Sequence, residues 1–215
     1  MSMPPFDRDH IRTVPDLPRA PADRIAGFAG VPVAVIGDAM ERLGMCDAGI
    51  GSITPGRTAV GSVLPVLVRS GDNAGVHACL EYVRPGDVVV VSGQADMSRA
   101  LVGALLARKF AAAGAAGVVI DGCVRDQAEL RELGFPVWAR GVTPAGPYKH
   151  GPAVIGEPVA VGGVVAAAGD LVAADDDGVI VVPAARAAEV RAGVDLVLEK
   201  EAAMLAAIKG QSSDH

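Results

Sequence analysis

An arginine and an aspartate stand side by side at Arg125-Asp126, directly after the run Gly117-Val118-Val119-Ile120-Asp121-Gly122-Cys123-Val124 and shortly before Glu129. A planar guanidinium can hold a carboxylate through paired hydrogen bonds, and an aspartate at a turn offers one hard oxygen to a cation such as magnesium. Together they suit a small anion bound beside a metal. As neighbours on a helix the two side chains would diverge by about 100° and form no salt bridge with each other, so each would act as a separate tool. The plain alternative is a pair of solvated charges decorating a helix start.

Placing such a pair needs a strand that ends at a glycine turn and a helix that begins there. The β-branched run Gly117–Asp121 reads as that strand and Gln127–Leu133 as that helix, the arrangement by which α/β proteins present chemistry at the carboxyl edge of a sheet. Upstream, Val88–Ser92 has the unalternating valines of a strand covered on both faces. A helix capped by Asp96 or Ser98 is predicted through Leu101, Leu105, Leu106 and Phe110 to Gly114. This order predicts a parallel crossover. If that helix instead starts near Gly103, its free first-turn amides face the same cleft as Arg125 and form an anion site. Otherwise Leu105 and Leu106 are an ordinary buried pair. Gln94-Ala95-Asp96 is either a site loop or a cap.

The remaining elements follow from turn residues and periodicity. Helices are expected over Ala22–Ala29, Val33–Leu43 and Val76–Val83, with a strand over Val60–Val68. Phe135–Ala139, Pro158–Ala168 and Asp170–Val182 read as strands, with Asp175-Asp176-Asp177-Gly178 as a tight bend, not a calcium loop, since the twelve-residue spacing and terminal Glu are missing. A long helix, Ala184–Lys209, closes the chain and is capped at Gly210. Residues 1–22, with five prolines, form an arm laid over a surface, and residues 23–215 form one domain.

Composition excludes several classes. Apolar residues make up 51% of the 215, but the longest apolar run, Phe110–Ile120, has eleven residues, short of the roughly 18 that a spanning helix needs. No membrane partner is expected. A net charge of −6 without clustered Lys and Arg argues against nucleic acid. Three cysteines, Cys46, Cys79 and Cys123, form no C-x-x-C pair, so neither a disulfide framework nor a zinc knuckle is expected. Met1–Asp9 lacks an apolar segment, and a cytoplasmic location is expected. The histidines His10, His77, His150 and His215 have no partner at ligand spacing, and His77 is read as structural. Lys109 and Lys149 are Schiff-base candidates in principle only. No P-loop, nucleophile elbow or complete G-x-G-x-x-G occurs.

Gly103-Ala-Leu-Leu, Gly114-Ala-Ala-Gly-Val-Val-Ile-Asp-Gly-Cys-Val-Arg-Asp126 with Glu129, Phe135-Pro-Val-Trp138 and Gly169-Asp-Leu-Val-Ala-Ala-Asp-Asp-Asp-Gly-Val-Ile-Val-Val-Pro183 together resemble the family of 4-hydroxy-4-methyl-2-oxoglutarate aldolases and the regulator of ribonuclease activity A. The likeness runs from about Ile36 to Gly210. It implies a compact α/β/β/α sandwich with mixed sheets, assembled as a trimer or pair of trimers with the site between subunits. By the resemblance, Asp126 binds a divalent cation, Mg2+ or Mn2+, and Arg125 contacts a 2-oxo acid. The amides of Leu105 and Leu106, after Gly103, hold its carboxylate, and a C-terminal-helix Glu of a neighbouring chain, Glu201 or else Glu199, completes the catalytic set. The implied activity is metal-dependent cleavage of a 4-hydroxy-2-oxo acid to pyruvate, with oxaloacetate decarboxylation beside it. One departure stands out: catalytic members carry Asp or Glu where this chain has Ala104. The ribonuclease regulators tolerate Ala there but tend to lose the Asp that this chain keeps, so the alternative is a non-catalytic protein that binds and inhibits a ribonuclease. Methyl transfer, an old label in the family, lacks a glycine-rich adenosylmethionine loop.

Overall fold

A computed structural model describes residues 9–212, so the first eight residues of the arm and His215 lie outside the described residues. Three successive strand–helix–strand units form the centre of the fold. Strand β3 (Ala59–Val68) leads through α3 (Ala74–Ala78) to β4 (Asp87–Val102), then through α4 (Ala104–Ala112) to β5 (Gly117–Val124) and through α5 (Gln127–Leu133) to β6 (Val137–Val142). The pairs β3–β4, β4–β5 and β5–β6 are all parallel, and for β4–β5 this is the crossover that the sequence predicts. The valines of β4 and β5 split by parity. Val89, Val91, Val118 and Ile120 face α3, α4 and α5, with Phe110 and Leu130 among their neighbours. Val88, Val90 and Val119 face the opposite way. Both faces are covered, which is why these strands show no polar alternation.

The second β layer folds back from β3. Its first half, Ala59–Ser62, pairs antiparallel with β10 (Leu171–Asp175), which pairs with β11 (Gly178–Val182). Its last residues, Val66–Val68, pair with β7 (Ala153–Ile155), which in turn pairs with β1 (Ile11–Thr13). With β2 (Gly51–Ser52) on β6, this makes one nine-stranded mixed sheet, and β8 (Val159–Val161) and β9 (Val164–Ala166) add a separate hairpin. Val172, Ala174, Val179 and Val181 meet Val88, Val90, Val119 and Trp138 between the β layers. The alternate residues Leu171, Ala173, Ile180 and Val182 turn outward onto α2 (Val33–Ala39) and α6 (Ala187–Ser212), beside α1 (Ala22–Gly27). Three apolar interfaces thus stack helices, sheet, sheet and helices, the layering that the resemblance implies.

Several sequence expectations are corrected. The helix predicted from Asp96 or Ser98 begins at Ala104, because Ala100 and Val102 pair with Cys123 and Val124 and keep Leu101 in the strand. The segment Gln94-Ala95 turns at φ 59° and 57°, so it is an irregularity inside β4 and no helix cap. Helix α2 ends at Ala39, since Glu41 and Arg42 take left-handed φ values of 57° and 66°. The helix predicted over Val76–Val83 starts two residues earlier and splits into α3 and a single 3-10 turn over Cys79–Glu81. Helix α6 runs past Gly210, which is no cap. The arm contributes β1 to the sheet edge and Arg19 to a buried ion pair with Asp87 at 2.6 Å, so it is tied into the domain. The acidic bend is the β10–β11 turn as expected, with Asp175 Oδ1 accepting from the Asp177 amide.

Candidate active site

Parallel pairing carries β5 to Val124, and the Arg125 amide still donates to the Val102 carbonyl at 2.9 Å. The chain then reverses in one residue. Asp126 takes φ 60° and ψ 40°, the left-handed region, and serves as N-cap of α5, its carbonyl accepting from the Leu130 amide at 2.9 Å. A non-glycine residue held there costs on the order of 1 kcal/mol, a cost that local structure must offset. This turn overturns the expectation that Arg125 and Asp126 diverge. Asp126 is not in the helix, so its side chain swings back until Oδ2 lies 3.6 Å from Arg125 Nε. The Ala104 amide donates to the same oxygen at 3.1 Å.

That last bond joins the start of α4 to the corner. Gly103 is extended at φ −132°, a conformation open to any residue, so backbone freedom does not explain it. Space does: a Cβ at 103 would lie 2.5 Å from Asp126 Oδ2 and 3.0 Å from Arg125 Cγ. With the helix starting at Ala104, the condition for a first-turn anion site is met. The Leu106 and Ala107 amides both donate to the Gly103 carbonyl at 3.1 Å. Among the described residues, the Leu105 amide has no such acceptor, and the Leu105 side chain is 73% exposed. Leu105 therefore offers the free N–H, whereas that of Leu106 is already engaged.

A cavity of about 250 Å³ opens over this corner, lined by Gly103, Leu105, Leu106, Arg125 and Asp126 from the predicted set. Asn73, His77, Lys109, Pro147 and Lys149 line it too; the sequence offered Lys109 and Lys149 only as Schiff-base candidates in principle and His77 only as structural. The Gly71-Asp72-Asn73 turn was the available signal for Asn73. Asp72, 1% exposed, accepts from the Ala74 amide at 2.9 Å and the His150 amide at 2.7 Å, while the Asn73 amide donates to the Tyr148 carbonyl at 3.0 Å. Lys149 is thus fixed from both sides. Arg99 reinforces this, stacking 4.1 Å from the Tyr148 ring centre and donating to the Gly146 carbonyl. Burial, then the charges of Lys149 and Lys109, press the His77 pKa down to about 4, so the imidazole is neutral at pH 7.

The Aldolase/RraA family profile matches residues 33–181. The chain belongs to this family. A protein of Halalkalibacterium halodurans, provisionally named 4-hydroxy-4-methyl-2-oxoglutarate aldolase, is 36% identical over 165 residues, 77% of this chain and 79% of that protein. The 4-hydroxy-4-methyl-2-oxoglutarate aldolase of Thermus thermophilus is 39% identical over 112 residues, 52% of this chain and 68% of that protein. Among solved structures, Streptomyces coelicolor RraAS2, described as an unusual member of the RNase ES inhibitor RraA family, superposes with a TM-score of 0.76 at 31% identity, covering 89% of this chain and all of that one.

For this Aldolase/RraA member, the remaining predicted residues fall outside the cavity. Glu201 lies on α6 and lines a separate groove with Asp38, Glu41 and Arg42. Within one chain it does not join Arg125. Glu129 is exposed on α5, and Asp121 is buried where it binds the Arg140 guanidinium and accepts from the Gly162 amide at 3.0 Å, a structural tie between layers. The three cysteines are free, and burial first, then Asp121, pushes the Cys46 thiol up to about 12. None of them is poised as a nucleophile. No helix is long and apolar enough to cross a membrane among the described residues.

Proposed function

We propose that this Aldolase/RraA chain is a carbon–carbon lyase that cleaves 4-hydroxy-4-methyl-2-oxoglutarate, or a similar 4-hydroxy-2-oxo acid, to pyruvate, with oxaloacetate decarboxylation as a side activity. The carrying observation is that the Arg125 guanidinium, the Asp126 carboxylate and the start of α4 converge on one cavity. The names of the two relatives support the same reading.

Among the described residues no three His, Cys, Asp or Glu side chains form a metal cage. Asp126 is the one carboxylate on the cavity wall, which fits a magnesium or manganese ion that keeps most of its water and takes further oxygens from substrate. Asp126 would hold such an ion, which would supply Lewis-acid chemistry to the bound 2-oxo acid. The chain's own groups do the rest. The Leu105 amide at the α4 N-terminus receives the C1 carboxylate, aided by the helix dipole. Arg125 directs its fork at the C2 oxygen, where negative charge gathers as the C3–C4 bond breaks. The C4 hydroxyl gives its proton to the Glu201 carboxylate of a second copy, C4 becomes a keto carbon as the C3–C4 electron pair passes into the enolate, and the proton returned from that acid to C3 gives pyruvate. Gly103 keeps Arg125 and Asp126 close enough to act together.

Ala104 supplies no acid or base, so the proposed site takes its remaining carboxylate, Glu201, from a second copy of the chain in a trimer or hexamer. The other reading, binding and inhibition of a ribonuclease, is favoured by Ala104 and by the likeness to RraAS2. Pyruvate release from 4-hydroxy-4-methyl-2-oxoglutarate and from oxaloacetate, measured across added metals and after chelation, tests the proposal. Metal-stimulated release from both acids is the expected result. No release from either acid by metal-loaded protein, together with inhibition of a ribonuclease, sinks it.

A further inference from the structure

Strand β4 makes a detour along its outer half. It advances eight residues, from Ser92 to Ala100, while its neighbour β5 advances two, from Asp121 to Cys123. Gln94 and Ala95, both with left-handed φ, turn the chain outward. The two ends of the detour are pinned. Gln94 Nε2 donates to the Val68 carbonyl at 2.9 Å, and Arg99 donates to the Gly146 carbonyl at 2.7 Å. Between them stands Met97, 48% exposed, whose side chain folds back onto the sheet.

A niche receives that side chain. Cys123 and Gly141 are partners across β5 and β6. A Cβ on Gly141 would lie 2.7 Å from Met97 Cε and 3.7 Å from Cys123 Sγ, so the glycine leaves the space that the Met97 methyl fills. The Cys123 thiol lies 3.5 Å from Met97 Sδ and is directed at the Met97 carbonyl at 3.6 Å. It is 1% exposed. A reachable thioether therefore lies against a buried thiol. Thioethers react with hydroperoxides to give sulfoxides, which turns an apolar group into a polar one. The niche suits only the apolar form. Its floor is a glycine, and its one side-chain donor is already engaged with a carbonyl, so a sulfoxide oxygen would be desolvated there without a partner.

We propose that Met97 is a modification site for hydroperoxides, and that its sulfoxide leaves the niche and uncovers the Cys123 thiol two residues before Arg125. In the step itself the peroxide O–O bond breaks as one oxygen bonds to Sδ. The thioether gives up two electrons to the peroxide. A proton passes from the transferred oxygen to the departing one, which leaves as water or an alcohol. Neither substrate nor metal enters this inference, so it stands apart from the lyase reading.

The test treats the full chain with hydrogen peroxide, removes the excess, and pulses with N-ethylmaleimide. Peptide mass spectrometry then reads sulfoxide at Met97 and alkylation or oxidation at Cys123. Met204, 54% exposed on α6, serves as the internal reference for peroxide reaction. Removing the apolar burial of Sδ and its methyl, roughly two methylene equivalents, shifts the balance of covered and open forms about tenfold. Modification of Cys123 through the open form should rise by that factor. Met97→Leu fills the niche without a sulfur, and there peroxide should leave Cys123 as slow to react as in the untreated parent. Met97→Gln, polar from the start, should react fast with no peroxide at all. Three results would overturn the proposal: Met97 unoxidised while Met204 is oxidised, Met97 oxidised with Cys123 still slow, or an equal rise in Met97→Leu. Thermal melts confirm that each variant is folded, and if Met97→Gln is not, the comparison of parent with Met97→Leu decides.

Discussion

Replacing Gly103 by alanine tests the corner with one methyl group. The backbone accepts alanine there, since φ −132° and ψ −177° are ordinary extended values, so no turn strain enters. The new Cβ would stand 2.5 Å from Asp126 Oδ2, 3.0 Å from Arg125 Cγ and 3.1 Å from Arg125 Nε. Relief to normal van der Waals separation requires these side chains to retreat by about 0.5–1 Å, enough to break the 3.1 Å bond from the Ala104 amide. A displacement of about 1 Å in a catalytic group costs on the order of 10²-fold in rate. Stability loses one partly exposed hydrogen bond, about 1 kcal/mol, or roughly 2–4 °C in Tm for a domain of this size. The assay is kcat/KM for metal-stimulated pyruvate release beside a thermal melt. Folded Gly103→Ala protein with activity within about threefold of the parent would falsify the reasoning that close approach of these three groups makes the site.

Other perturbations read separate parts of the molecule. Asp126→Ala should abolish metal-stimulated pyruvate release while lowering Tm by only the roughly 2–4 °C of the lost Ala104 amide bond, whereas full activity would remove Asp126 from the mechanism. Asp72→Ala leaves the Ala74 and His150 amides without their buried acceptor, and should destabilise the fold by roughly 3 kcal/mol, about 6–12 °C in Tm. A loss below about 1 kcal/mol in denaturant titration would contradict that role. His77 has its pKa lowered from 6.5 to about 4, so between those values the unfolded chain binds more protons and stability rises with pH. Discounting the full shift for partial exposure of the ring leaves roughly 1.5 kcal/mol, lost as pH falls from about 6.5 to about 4. Urea midpoints across that range should show it, and a His77→Asn variant should flatten the slope; an unchanged slope would refute it.

The parallel strand–helix–strand core was legible because its cause is local and repeated. Four consecutive valines at Val88–Val91 and the β-branched run before Asp121 suit strands buried on both faces, and turn residues separate them from the helices. The misplaced start of α4 has an equally definite cause. Leu101, Leu105, Leu106 and Phe110 carry a helical spacing, but the register of Ala100 and Val102 against β5 holds the first of these in the strand. Tertiary hydrogen bonding overrode a local pattern. Because of that override, α4 begins at Ala104 and its first turn opens onto the cavity.

By itself the sequence determined the residue types of the Val-Arg-Asp corner and the strand and helix on either side of it, since these follow from side-chain shape and spacing along one short segment. Only the tertiary structure decided that Asp126 turns back to meet Arg125, that Gly103 is needed for space, and that Asn73, His77, Lys109 and Lys149 line the same cavity. The cavity gathers positions as much as 76 residues apart, Asn73 and Lys149. No local propensity encodes them, because the free energy that holds them comes from packing the layers together.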